Sequence, residues 1–280
     1  MSSFRTSSVF KFTKDFELLK KIIKNGIIPN YCEEDLSFDS QEFCVGIPVS
    51  CFCDIPITLL DVHTSRYGNY GIALSKKWAL INGLSPIMYI ANPVVLQSVY
   101  YHFQQNQTRL LELLKEDISS KHYTSAQSYI SELLGRYQKL ENVKKESIVN
   151  THIIGYLKKY EGVYKSRPIN NYEENEWRYL VPDENGTQWF WSKESYQKWR
   201  FPNGNLNADK PSPTEELKKH TLRFDCKDIS YLLVKDDEFK SRLIDYIKGL
   251  TTIGGNEATD DKRYDIISKT ITLEQVRIDF

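Results

Sequence analysis

The stretch FCVGIPVSCFCDIPITLLDVHTSRYGNYGIAL, residues 43–74, decides how this chain is read. Phe43 to Cys53 is rich in Val, Ile, Phe and Cys and alternates imperfectly, as a strand buried on both faces does, with Pro48 marking an edge or a bulge. Pro56 opens a short helix over ITLLDVH, and YGIALS at 70–75 is a second strand. His63, Arg66, Tyr67 and Tyr70 crowd the space before it, bounded by Gly68 and Gly71, which predicts a polar loop of the kind that carries binding groups. Cys51 and Cys53 share a face at strand spacing and read as packed thiols. The five cysteines are odd in number and none has C-x₂-C spacing, so no metal is expected.

Upstream, Ser8 to Phe12 reads as a strand running into a helix over TKDFELLKKIIKNG, with Thr13 as N-cap and Gly26 as C-cap. Residues 33–41 are acidic and polar, a surface loop by composition. Downstream come a short helix at KKWALINGL, a strand at PIMYI and a long helix opened by Asn92-Pro93 and running to about Lys115. Apolar residues near helical spacing from Thr124 to Tyr160 predict one or two more helices, so about 93–160 reads as a helical insertion. Strands return at GVYKS, NEWRYLVP and LRFDCKDISYLLVK, followed by a helix at DDEFKSRLIDYIKGL, a Gly-rich acidic loop TTIGGNEATDDKR and a closing strand or helix in ITLEQVRIDF. Strands and helices mix without a βαβ rhythm. The expected fold is a single α+β domain over 1–280 with a mixed, mainly antiparallel sheet.

Charge gives no global steering. The 280 residues carry 37 Lys plus Arg against 37 Asp plus Glu, so any polyanion site is local. No apolar run approaches the roughly 20 residues that span a bilayer, and the N-terminus has no apolar signal core; a soluble, cytoplasmic protein without membrane contact is expected. QWFWSKESYQKWRFPNGNLNADKPSP, 188–213, interleaves three of the five tryptophans with cations. That pattern suits stacking on single-stranded nucleic acid, or equally aromatics covering the helical insertion.

In YEENEWRYLVP, 172–182, strand spacing puts Glu174, Glu176 and Arg178 on one side and Trp177, Tyr179 and Val181 on the other. The apolar set belongs in the core, leaving the charged set to a cleft or a solvated face.

The order of FKFT (10–13), NGIIPNY (25–31), IPVSCFCDIPI (47–57), H-x-x-RYGNYGIAL (63–74), KKW, E-x-EWR (174–178), DI-YLLV and ITLEQVRIDF resembles the AbiGi family of abortive phage resistance proteins. The resemblance covers nearly the whole chain. It implies a role in bacterial anti-phage defence, in a toxin–antitoxin or abortive-infection operon, with a toxin or antitoxin partner. A more distant similarity of arrangement is to the ADP-ribosyltransferase superfamily, with Lys11 or Thr13 in the first position, Tyr67 or Tyr70 in the middle and Glu174-Asn175-Glu176 late; Lys11 stands where those enzymes usually carry His or Arg. That similarity implies NAD as substrate and an RNA, DNA or protein acceptor. It implies Glu176 on the ribose, Tyr70 on the nicotinamide and Glu174 orienting the acceptor, with Thr13, His63, Arg66, Tyr67 and Arg178 binding the cofactor. A non-catalytic antitoxin or sensor that binds a toxin partner and only retains the fold is the alternative.

Overall fold

The computed structural model describes residues 6–115, 125–164, 167–182, 191–205, 208 and 210–279. The first third of the chain supplies β1 (Ser8–Thr13), α1 (Phe16–Asn25), β2 (Asn30–Asp35), β3 (Cys44–Cys53), α2 (Leu60–Tyr67), β4 (Tyr70–Ser75), α3 (Lys76–Ile81), β5 (Ser85–Pro86) and β6 (Met88–Ile90). The middle holds α4 (Pro93–Lys115), α5 (Ala126–Gly155), β7 (Leu157–Lys159), β8 (Glu161–Tyr164), β9 (Arg167–Asn170) and β10 (Glu176–Leu180). The last third gives β11 (Trp191–Ser192), α6 (Lys193–Arg200), α7 (Glu215–Lys218), β12 (Ile229–Val234), α8 (Asp237–Lys248), β13 (Thr252–Ile253), β14 (Asn256–Glu257), α9 (Asp260–Ser268), β15 (Thr270–Thr272) and α10 (Leu273–Asp279).

The main sheet runs β15-β12-β4-β1-β3-β10-β5, with β2 and β11 also paired to β3. Among the described residues its one parallel contact is β12 with β15. The class is therefore α+β with a mixed, mostly antiparallel sheet. One face packs Val9, Ile72, Leu74, Leu232 and Val234 against α1, α3, α8 and α9. The other face carries two apolar clusters. Phe10, Ala73 and Leu233 meet Leu60 of α2 and Leu273 and Val276 of α10, while Val45, Ile47, Val49 and Leu180 meet Leu96 of α4 and Ile154 of α5.

Several expectations are corrected locally. Asp15, not Thr13, caps α1, its carboxylate accepting from the Glu17 N–H at 2.8 Å, because an Asx side chain reaches the free amides of the first turn. Residues 33–35 are not loop but the end of β2, paired with β3 from Asn30↔Val49 to Asp35↔Cys44, since backbone pairing outweighs acidic composition. Pro48 sits inside the sheet, where β3 changes partners on one edge: β10 pairs with Val49–Cys53 and β11 with Val45 and Gly46. Its missing N–H falls in that gap, so no ladder bond is lost. His63, Arg66 and Tyr67 lie on α2 rather than in a loop, and only the Gly68 turn separates them from β4. The loop expected over TTIGGNEATDDKR folds into β13, β14 and the start of α9.

The tryptophan-rich segment packs under the apolar side of β10. Trp191 stacks on Tyr31 with ring centroids 3.7 Å apart, and Trp199 meets Tyr31 edge-on. Tyr196 and Leu217 complete that cluster with Val181. These rings cover the sheet rather than the helical insertion; Trp189 lies outside the described residues.

Candidate functional site

Sheet register decides which side chains can meet. Glu176 pairs with Cys53 and Arg178 with Cys51, and Cys53 pairs with Phe10. All of these point to the face that α2 and α5 cover. Phe10 pairs with Ala73, and Thr13 with Tyr70, three positions further along both strands. An odd offset sends Tyr70 and Thr13 to the opposite face. Tyr70 packs there against Phe16 and Phe239, with centroids 5.3 and 5.1 Å away. The Thr13 hydroxyl accepts from the Asp15 N–H at 3.1 Å. Neither reaches Glu176, which corrects the placement that the distant resemblance implied.

Five of the other candidates do converge. Glu174 ends a 3₁₀ turn, Asn171–Glu174, and Asn175 takes the left-handed conformation, φ 43°, that turns the chain into β10. Tyr67 donates to Glu174 Oε1 at 2.6 Å, and Arg66 stands 3.7 Å from the same oxygen. Arg178 donates from Nε to Glu176 Oε1 at 2.7 Å. His63, on the same helix as Tyr67, lines the cavity with them.

Three partners were not foreseen. Lys158 of β7 donates to Glu174 Oε2 at 2.6 Å and to Glu176 Oε2 at 2.8 Å. Glu34 of β2 accepts from Arg178 Nη2. Tyr89 Oη accepts the Glu176 backbone N–H at 2.8 Å. The one signal in the sequence bears on Lys158, since two buried carboxylates need more than the single cation that the E-x-E-x-R spacing supplies. Glu34 pairs with Val45 and Arg178 with Cys51, six positions apart on β3. A flat strand would separate them by about 20 Å, so β3 bends toward this face near Pro48.

The charged set is more deeply buried than the aromatic one. Arg178 is 2% and Glu176 6% exposed, whereas Trp177 and Tyr179 are half-buried. The solvated-face expectation fails because α5 ends directly over these residues. Arg178 Nη1 donates to the carbonyls of Gly155 at 2.8 Å and Leu157 at 3.3 Å. A Cβ on Gly155 would stand 2.7 Å from Leu180 Cδ2, so glycine is what lets the helix end come this close.

Electrostatics fix the protonation states. Burial alone would raise the Glu176 pKa, but Arg178 and Lys158 outweigh it and hold the carboxyl at about 2. Burial would lower the Lys158 pKa, yet Glu176, Glu34 and Glu174 raise it well above its usual value. Burial pushes the Tyr67 phenol and the Cys53 thiol up, with Glu174 adding to both. Cys53 is thereby a packed, protonated thiol. Among the described residues no cluster of His, Cys, Asp and Glu is arranged to hold a metal ion.

The cavity over this network measures about 180 Å³ and is walled by Phe10, Phe12, Cys51 and Cys53 besides the polar groups. NAD does not fit it as arranged. Pockets that enclose drug-sized ligands run to about 300–1,000 Å³, and a dinucleotide is larger than most such ligands. Arg178 spends its guanidinium on two carboxylates and two carbonyls, leaving no fork for a pyrophosphate.

The family described as "Putative abortive phage resistance protein AbiGi, antitoxin" matches residues 25–235. The chain belongs to the AbiGi family. A curated relative, abortive phage resistance protein AbiGi of Lactococcus lactis subsp. cremoris, is 25% identical over 247 residues, covering 84% of this chain and 89% of the relative. No solved structure matches significantly, so the ADP-ribosyltransferase-like arrangement has no structural relative behind it. The family match takes in β2 through β12, and so includes every residue of the charged network.

Proposed function

We propose that this member of the AbiGi family is the neutralising, partner-binding component of an anti-phage defence pair, and that it engages a toxin protein through the outer face of the α4–α5 hairpin. The observation that carries this is an apolar stripe left uncovered among the described residues. Ile130, Leu133, Leu134 and Tyr137 follow i, i+3, i+4, i+7 spacing, yet they are 54%, 39%, 59% and 63% exposed. Leu111 and Leu114 of α4 are exposed as well, and Arg136 of α5 donates to the Leu113 carbonyl at 2.7 Å, tying the two helices together at this level. A stripe of this period is normally a buried one, and an uncovered apolar patch marks a docking surface. The antitoxin description of the family names the kind of occupant.

The test is co-expression with the product of each neighbouring gene, one of which should be toxic alone. Wild-type chain should be harmless alone and restore growth, while Ile130→Asp/Leu134→Asp should lose rescue with an unchanged thermal melt. A chain toxic by itself, or full rescue by the double variant, would overturn the reading.

A second reading is transfer of ADP-ribose from NAD to nucleic acid or protein. One observation favours it: Glu174, Glu176 and Tyr67 line the same cavity. The size of that cavity and the engaged Arg178 stand against it. Incubation with labelled NAD, total RNA, DNA and protein decides the matter, since label transferred by the wild type and lost in Glu176→Gln would establish the enzyme.

A further inference from the structure

His63 is 4% exposed and lines the cavity, and neither Nδ1 nor Nε2 makes a hydrogen bond of good geometry, with only the Glu174 backbone in weaker reach. Two such polar atoms on one buried ring are costly to leave unmet, so a water or a ligand meets them from the cavity. Burial lowers the imidazole pKa more than the nearby Glu174 raises it, so the ring is neutral at pH 7 and offers one donor and one acceptor.

The rest of the cavity narrows the chemistry. At about 180 Å³ it slightly exceeds an engineered cavity of about 150 Å³ that holds benzene, so it takes one substituted ring. Phe10 and Phe12 give it an aromatic wall, their rings parallel within 4°. Facing it are the carboxylates of Glu34, Glu174 and Glu176 and the cations Lys158, Arg178 and, on Glu174, Arg66, three against three; Glu33 neighbours Glu34 on β2 and turns its side chain to the other face. The carboxylate oxygens can accept from donors on a ring, and a space that one ring fills leaves no room for a phosphate. Tyr67, which also lines it, is 40% exposed.

We infer that this cavity binds an uncharged aminopyrimidine-type ring without a phosphate, its ring edge paired with His63 and its exocyclic amine directed to the Glu174–Glu176 carboxylates. The site is independent of the hairpin surface, so either proposal can fail alone.

The experiment follows the His63 imidazole resonances and thermal unfolding of the full chain with cytosine, uracil, nicotinamide or cytidine 5′-monophosphate. Cytosine should shift the His63 signals and raise the melting temperature, uracil and the monophosphate should bind at least about tenfold more weakly, and His63→Leu should lose the cytosine effect. The wild-type resonances answer the question even where the variant folds poorly, and His63→Gln should retain part of the affinity. No response to cytosine, equal binding of the monophosphate, an effect that survives in His63→Leu, or preference for nicotinamide would each overturn the proposal.

Discussion

Glu176 accepts from two cations at 2.7 and 2.8 Å, and its folded-state pKa of about 2 lies below the ordinary value of 4.5. A depressed carboxyl contributes stability that is fully present above about pH 4.5 and is lost as pH falls toward 2, amounting to about 3 kcal/mol. Acid titration of the unfolding free energy should show that loss, and Glu176→Gln should flatten it. At pH 7 the same substitution should cost about 3–5 kcal/mol, because it leaves Arg178 and Lys158 short of charge in a buried site. A Gln variant as stable as the wild type at pH 7 would mean that the network is better hydrated than its burial indicates. At this scale the E-x-E-x-R spacing was readable from strand periodicity, whereas Lys158 and Glu34 were not, because they come from other strands.

Among the elements, the C-terminal pair β15 and α10 closes one sheet edge. β15 adds parallel to β12 through Leu232↔Thr270, Leu233↔Ile271 and Val234↔Thr272. Leu273 and Val276 then bury against Phe10 and Leu60, at about 1.5–3 kcal/mol each. Deleting residues 271–280 removes both contributions and exposes β12, so thermal unfolding should shift down by well over 10 °C or the chain should fail to fold. A melt unchanged by the deletion would show that the edge strand is dispensable. The sequence placed a strand or helix in ITLEQVRIDF, and the segment is both, strand to Thr272 and helix from Leu273. It did not announce α9, whose acidic first turn, Asp260 and Asp261, reads as loop until its Thr259 N-cap is seen accepting from Lys262 N–H.

For the whole molecule, two faces of one sheet do different work. The face under α1, α8 and α9 is continuous core, and the face under α2, α5 and α10 is interrupted by the charged network between its two apolar clusters. The α4–α5 hairpin projects from this second face, with Leu96 and Asn106 its only buried residues on α4. Backbone amides of 105–115 and 126–140 should therefore exchange hydrogen faster than those of β1, β3, β4 and β12. Equal protection in both sets would indicate that the hairpin is covered in solution, for instance by a second copy. No helix among the described residues is long and apolar enough to cross a membrane.

Local periodicity carried the central strands β1, β3, β4, β10 and β12, most helices and the family resemblance, because period and turn chemistry are written along the chain. What it could not carry is the parity of pairing between distant strands. Phe10↔Cys53↔Glu176 sets Glu176 on one face, and the odd offset to Thr13↔Tyr70 sets that pair on the other. A strand's two faces are locally equivalent, and only the packed sheet, with α2 over one side and α1 over the other, decides which residues share a cavity.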